Sequence, residues 1–232
     1  MITSKENQQI KYINKLKQKK YRDLENKFLI FGDHLIESAI KANLSLDIYT
    51  SNPDKKGTLI SANLMRYLSF VDSPQDTLAI VSKLTSKPYS NKILILEDVQ
   101  DPDNVGALIR SAVGFGFTTI ISSLKSADFY NEKTIRASQG ALFFANLIRT
   151  NVIKEIETLK AKNYHIIATS PHTQSDIKNQ SQQDKIVLVL GNEGSGISKK
   201  VADLSDALVK INTQTIESLN VSVAGAICMY LL

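Results

Sequence analysis

Cysteine is almost missing from this 232-residue chain: Cys228 stands alone, which excludes an internal disulfide framework. Histidine is nearly as scarce, and His34, His165 and His172 lie too far apart to give metal-ligand spacing, so zinc enzymes are set aside together with disulfide-stapled secreted domains. No stretch approaches the ~18 to 20 uninterrupted apolar residues of a membrane span. The N-terminal Met-Ile-Thr-Ser-Lys-Glu lacks the apolar core of a signal peptide, so a cytoplasmic protein is expected. There is no internal repeat and no low-complexity tract. What is present is a hydrophobic content of 43%, enough for one large domain or two small ones with real cores and too apolar for a disordered chain.

The net charge of +5 is unevenly placed. Lys5, Lys11, Lys15, Lys17, Lys19, Lys20, Arg22 and Lys27 face only Glu6, Asp23 and Glu25 in the first 27 residues, and the remaining residues are neutral as a set. A basic segment on a neutral body is the footprint of a protein that meets a polyanion, because each phosphate contact releases counterions. A solvated helix face that only keeps the protein soluble would have the same composition.

Ile10, Ile13 and Leu16 have helical spacing, so the basic segment reads as one amphipathic helix capped by Thr3 or Ser4. The period then changes. Phe28–Phe31, Leu46–Tyr49 and Thr77–Val81 read as short strands, and Asp33–Ala42 and Leu59–Leu68 as helices. This predicts a small α/β domain over residues 1–85, followed by a polar linker at 86–91 around Lys87-Pro88. From 92 to 232 the rhythm is longer. Lys92–Leu96, Thr118–Ser122, His165–Thr169, Ile186–Leu190 and Ala207–Ile211 are apolar or β-branched runs, as expected of strands buried on both faces. Helical segments fall at Val105–Phe115, Glu132–Ser138, Ile153–Lys162 and Ser218 to the end. The prediction is an α/β domain with a mostly parallel sheet covered by helices on both faces, with ligands at the carboxyl ends of the strands, after Leu96, Leu190 and Ile211.

The loop after Leu96, Glu97-Asp98-Val99-Gln100-Asp101-Pro102-Asp103-Asn104-Val105-Gly106, enters a helix with Asn104 as candidate N-cap and Arg110 about one and a half turns on. Alone, it is equally a capped helix carrying an incidental arginine. The loop after Leu190, Gly191-Asn192-Glu193-Gly194-Ser195-Gly196-Ile197-Ser198, has P-loop glycine spacing but Ile-Ser where Lys-Ser/Thr must reach phosphate and metal. No G-x-G-x-x-G follows an early strand, which argues against the usual dinucleotide fold. Three glycines around Glu193 leave a backbone able to approach a ligand closely, or an ordinary strand-to-helix turn. The last loop, Glu217-Ser218-Leu219-Asn220, precedes a helix that Ser218 caps naturally, and Ala224, Gly225 and Ala226 offer a small-residue surface. Asn220 has no purely structural explanation from the sequence.

In this order and spacing, DPDNVGALIRSAVGFG, LVLGNEGSGIS and IESLNVSVAGA resemble the SpoU branch of the SPOUT superfamily, the TrmH-type RNA ribose 2′-O-methyltransferases, over about residues 92 to 232. ITSKENQQIKYINKLKQKKYR and FLIFGDHLIESA look like the RNA substrate-binding domain of members that modify ribosomal RNA. The resemblance implies a trefoil knot, a homodimer, and S-adenosylmethionine as methyl donor, held by backbone groups at Gly191, Ile211 and Leu219, with Thr169 beside them. It places Asn104, Arg110, Glu193, Ser218 and Asn220 in the catalytic set, with no metal. In the family Arg110 would be the base; guanidinium is not normally deprotonated, so anchoring the RNA phosphate is the alternative role. RNA contacts fall to Lys11, Lys15, Lys19, Lys20 and Arg22. Transfer RNA is the other candidate substrate, and a catalytically silent RNA-binding or ribosome-assembly factor the other class. Two departures stand out. Ile211-Asn212-Thr213-Gln214-Thr215-Ile216 replaces the usual Ile-Pro segment with its glycine and is one residue shorter, and Phe31 replaces an acidic residue common after the first apolar run.

Overall fold

In the computed structural model, which describes residues 1–71, 73–180, 183–216 and 218–232, the chain folds into two sheets that share a core. The basic segment is two helices, α1 (Gln8–Leu16) and α2 (Lys19–Glu25), where a single one is predicted. Asn7, and not Thr3 or Ser4, caps α1, its side chain accepting from the Gln9 N–H. The break has a physical cause in Arg22. Its guanidinium reaches back to the carbonyls of Leu16 (3.3 Å) and Lys17 (2.7 Å), supplying donors to a helix end that has lost its own.

There follow β1 (Lys27–Phe31), α3 (Asp33–Lys41), β2 (Leu46–Thr50), β3 (Thr58–Leu59), α4 (Ala62–Leu68) and β4 (Thr77–Ser82). The helix expected from Leu59 starts only at Ala62, because Thr58 and Leu59 pair in parallel with β2 and Ser61 caps the first turn. β4 pairs antiparallel with both β1 and β2, giving the order β1-β4-β2-β3. Ile10, Ile13 and Leu16 of α1 bury against Leu64, Met65 and Leu68 of α4, so the lysines between them face outward.

The second half runs β5 (Lys92–Leu96), α5 (Pro102–Gly114), β6 (Thr119–Ser122), α6 (Glu132–Ser138), β7 (Asn146–Arg149), α7 (Val152–Ala161), β8 (His165–Thr169), β9 (Ile186–Leu190), α8 (Lys199–Leu204), β10 (Ala207–Val209) and α9 (Val221–Leu231). All pairings in the sheet β10-β8-β9-β5-β6-β7 are parallel. The uninterrupted apolar strands follow from burial on two sides. Ile93 and Ile95 of β5 join a core with α7 and α8, whereas Leu94 and Leu96 face α5 and α9. The sequence reading misses β7, whose half-buried edge carries a weak apolar signal. Among the described residues no helix is long and apolar enough to cross a membrane.

The two halves are packed together. Phe28, Ile30, Leu35, Ile36, Ala39, Ala79 and Val81 belong to the same core as α5 and α9, and Phe28 lies 4.6 Å from Tyr130, centroid to centroid. The segment expected to be a polar linker is tied down: Asn146 exchanges two hydrogen bonds with the backbone of Lys87, and the Tyr89 hydroxyl bonds Glu155 at 2.6 Å. Arg22 completes the join. It is buried and pairs with Asp128 at 2.8 Å, their side chains 7% and 12% exposed. The expectation that Arg22 contacts RNA is therefore corrected, since its guanidinium is spent on Asp128 and on the end of α1.

Candidate active site

The loops after β5 and β9 are laced together before either reaches solvent. Glu97, largely buried, accepts from the Ser198 N–H (2.8 Å), and Asn192 donates its side-chain amide to the Asp98 carbonyl (2.9 Å). The Asn192 side-chain oxygen also accepts from the N–H groups of Gly194 and Ser195, both at 3.0 Å, which curls the glycine loop back until Asn192 and Gly196 exchange two backbone bonds. Gly191 is forced by this curl. A Cβ there would stand 2.2 Å from the Gly196 carbonyl carbon and 2.3 Å from the Ile197 nitrogen.

The third strand-end loop closes the arrangement. Asn220, not Ser218, caps α9, its side-chain oxygen accepting from Ser222 and Val223 N–H groups. Its amide nitrogen donates to the Asn104 side-chain oxygen (3.0 Å), and Asn104 in turn donates to Glu193 (3.2 Å). Asn104 is free to do this because Asp101 caps α5, with Pro102 at the first helical position; the predicted capping role of Asn104 is corrected. Glu193 also faces the N–H groups of Gln100 and Asp101, each at 3.4 Å. One side chain from each loop thus forms a hydrogen-bonded series, Glu193–Asn104–Asn220. α9 comes this close because Gly225 has no side chain: a Cβ would meet Leu108 at 2.4 Å and Leu190 at 2.6 Å.

Beside this series opens a cavity of about 440 Å³. Thr169, Gly191, Glu193, Ile211, Ser218, Leu219 and Asn220 all line it, so most of the residues singled out from the sequence converge on one space. Asn104 stands behind it. Arg110 does not line it; it is exposed on α5, with no hydrogen bond or ion pair among the described residues. Glu217 lies outside the described residues. The shortened segment still walls the cavity through Ile211, Asn212, Thr213 and Ile216. Asn212 is pinned to Asp176 (2.7 Å), and the Thr213 hydroxyl donates to the Ile216 carbonyl.

Sequence reasoning missed Asn192, which organises the glycine loop, and Ser170 and Pro171, which follow β8 into the cavity wall. An asparagine directly after a strand and before glycines is an Asx-turn signal, and would have found the first. Of the predicted RNA-contact lysines, Lys11, Lys15, Lys19 and Lys20 are exposed; Lys11 pairs with Glu6 and Lys19 with Asp23, while Lys15 and Lys20 lie over the Tyr21 ring.

Comparison with known proteins matches residues 91–230 to the SpoU rRNA Methylase family and residues 7–79 to an MRM3-like substrate binding domain. The 23S rRNA (guanosine(2553)-2′-O)-methyltransferase RlmP of Bacillus subtilis is 31% identical over 99% of this chain and 97% of its own length. An uncharacterized tRNA/rRNA methyltransferase of Borreliella burgdorferi is 30% identical, covering 80% of this chain and 82% of that protein. Among solved structures, an RNA 2′-O ribose methyltransferase superposes with a TM-score of 0.84 at 26% identity, covering 99% of this chain and 96% of the other. The AdoMet-bound rRNA methyltransferase from Sinorhizobium meliloti, at 24% identity, shares the fold with a TM-score of 0.87 over 99% of this chain and 95% of that one. The parallel six-stranded sheet, the three laced loops and a family match spanning more than half the sequence agree: this chain belongs to the SpoU rRNA methylase family.

Proposed function

We propose that this protein methylates the ribose 2′-oxygen of ribosomal RNA in the cytoplasm, with S-adenosylmethionine as donor. The observation that carries the reading is the series Glu193–Asn104–Asn220 standing at a cavity floored by Gly191. The cavity fits a donor of this kind. Its volume lies in the range of small-molecule sites, and Gly191, Gly194 and Gly196 on its wall allow backbone to approach a bound molecule closely. Gly191, Ile211, Leu219 and Thr169 would hold the donor, which when bound supplies a methyl group on a cationic sulfur.

The chain's own residues then have to position a ribose, whose 2′-hydroxyl proton passes to water as the oxygen is alkylated. Arg110 is suited to clamp the phosphate beside the target ribose with its planar fork and to stabilise negative charge developing on the 2′-oxygen. Asn104 and Asn220 are held in fixed orientation by their mutual bond and by Glu193, so an amide at the cavity edge can orient the sugar without reorganising. Ser218 offers a hydroxyl on the same wall. Lys11, Lys15, Lys19 and Lys20 on α1 and α2 supply the field that brings RNA to the N-terminal unit.

The chain leaves β9, passes out to β10 at the sheet edge and returns to pack α9 on α5 and β9; we read this path as the family's trefoil knot. The same helix ends leave Phe115 and Tyr230 in edge-to-face contact with Val223 and Leu231 exposed nearby along α9, an apolar face suited to a homodimer. The direct test is to incubate the protein with ribosomal RNA and the donor, digest, and quantify 2′-O-methyl nucleosides by mass spectrometry. Site-specific gain of one such nucleoside is expected. No gain on naked RNA or on ribosomal particles, with donor binding undetectable at millimolar concentration, would overturn the proposal.

A further inference from the structure

From α4 we infer that the N-terminal unit carries a stacking platform for unpaired RNA bases, built by Tyr67 and Phe70 and bordered by Lys5, Lys17 and Arg66; this rests on the reading that RNA is the substrate. The helix buries Leu64, Met65 and Leu68 and turns Asn63, Arg66 and Tyr67 outward at positions i, i+3 and i+4. Phe70 and Val71 come next in the chain. Tyr67, Phe70 and Val71 are 38%, 40% and 42% exposed, three large apolar side chains in five residues that the fold leaves in water.

Each ring already attracts a cation. Lys5 lies 4.3 Å from the centre of Tyr67, and Lys17 lies 4.7 Å from that of Phe70 while donating to the Ser69 carbonyl at 3.1 Å. Lys5, Lys17 and Arg66 have no carboxylate partner among the described residues. Because Lys5 precedes α1 and Lys17 ends it, the two cation–ring pairs sit at opposite ends of that helix, which packs along α4. Phe31 acquires a role here. It meets Phe70 edge-on at 5.6 Å and fixes the ring's plane, a support that an acidic side chain at that position would not provide.

Exposed aromatic faces interleaved with unpaired cations are the elements of single-strand recognition: bases stack on the rings, and the ammonium and guanidinium groups follow the backbone. A paired helix cannot present its base faces, so the platform selects unpaired segments.

The test measures binding of a fluorescein-labelled single-stranded U12 RNA and of a 12-base-pair RNA duplex to the full chain, across a salt series. Tyr67→Ala and Phe70→Ala should each weaken U12 binding about tenfold, in the range of one lost stacked base, with the salt slope unchanged. Lys5→Gln with Lys17→Gln should lower the salt slope by about two phosphate contacts. Phe70→Trp should restore binding, and 2-aminopurine placed in the oligonucleotide should be quenched by wild type and not by Tyr67→Ala with Phe70→Ala. Donor binding and the melting temperature report folding of each variant. Alanine variants that fold and bind U12 within twofold of wild type, or a duplex bound as tightly as U12, would overturn the platform. Failure of wild type to methylate any ribosomal RNA would count against the proposed reaction and leave these binding results to decide the platform separately.

Discussion

Replacing Gly191 with alanine inserts a methyl group where three backbone atoms already stand, at 2.2, 2.3 and 2.4 Å. Ordinary carbon contacts begin near 3.4 Å, so the facing Gly196–Ile197 backbone must retreat by more than about 1 Å. That retreat strains the paired bonds between Asn192 and Gly196, both 3.0 Å, and pulls Glu193 away from Asn104. Overpacking of this order costs about 1–3 kcal/mol, which for a chain of this size lowers the melting temperature by roughly 2 to 12 °C. The effect on the site should be larger than the effect on the fold. A displacement of about 1 Å in a positioning wall is enough for about a hundredfold loss of transfer rate, and donor affinity should fall at least about tenfold. Gly194→Ala is the internal control, since its Cβ would meet only the Asn192 side-chain oxygen at 3.6 Å. Calorimetric titration with the donor and thermal melts on both variants check this. A Gly191→Ala protein with wild-type donor affinity and melting temperature would refute the close-approach argument.

Three other outcomes are expected. Asn220→Ala and Arg110→Ala should each reduce methyl transfer by about a hundredfold or more, and Arg110→Lys should recover little of it, because lysine keeps the charge and loses the fork; single-turnover rates at saturating donor decide this. Arg22→Met leaves the largely buried Asp128 without its ion-pair partner, which should cost about 3–5 kcal/mol and be read as a lower denaturation midpoint, with Arg22→Met/Asp128→Asn recovering a large part. Burial alone would raise the pKa of Asp206, but the Ile166 N–H, Lys160 and His165 outweigh it and hold the carboxyl below its usual range. A depressed folded-state pKa gives stability that is present above the ordinary carboxylate pKa and lost as pH falls through the folded value. Asp206→Asn should therefore flatten the fall of melting temperature below about pH 4, and parallel curves for variant and wild type would contradict it.

The parallel sheet was legible because Ile93-Leu94-Ile95-Leu96 and Ile186-Val187-Leu188-Val189-Leu190 are buried on both faces and have no polar alternation to confuse the period. The loops after Leu96, Leu190 and Ile211 were legible because ligands gather at the carboxyl ends of parallel strands, whereas the individual positions Thr169, Gly191, Ile211 and Leu219 came from the family resemblance. What sequence could not show was the exchange of partners between distant segments. Asn104 and Ser218 look like caps and Asn220 looks like a residue without a structural role, and only the fold reveals that Asn220 caps α9 and also bonds Asn104 across 116 positions. Arg22 sits among exposed lysines and has their composition, yet Asp128, 106 positions away, takes it into the core. The edge strand β7 and the break between α1 and α2 were missed for a related reason: both depend on neighbours supplied by tertiary contact and not on local pattern.

The shared packing of Phe28, Ile30 and Val81 with α5 and α9, locked by Arg22 and Asp128, has a consequence for how a target is chosen. Two units fused this way cannot swing apart, so the reach from the basic helices to the Gly191 cavity is a constant of the molecule. On the proposed reading, a nucleotide would be picked out by how far it lies from the segment held at those helices, as a caliper picks out a width, and inserting bases between the two should misplace the mark.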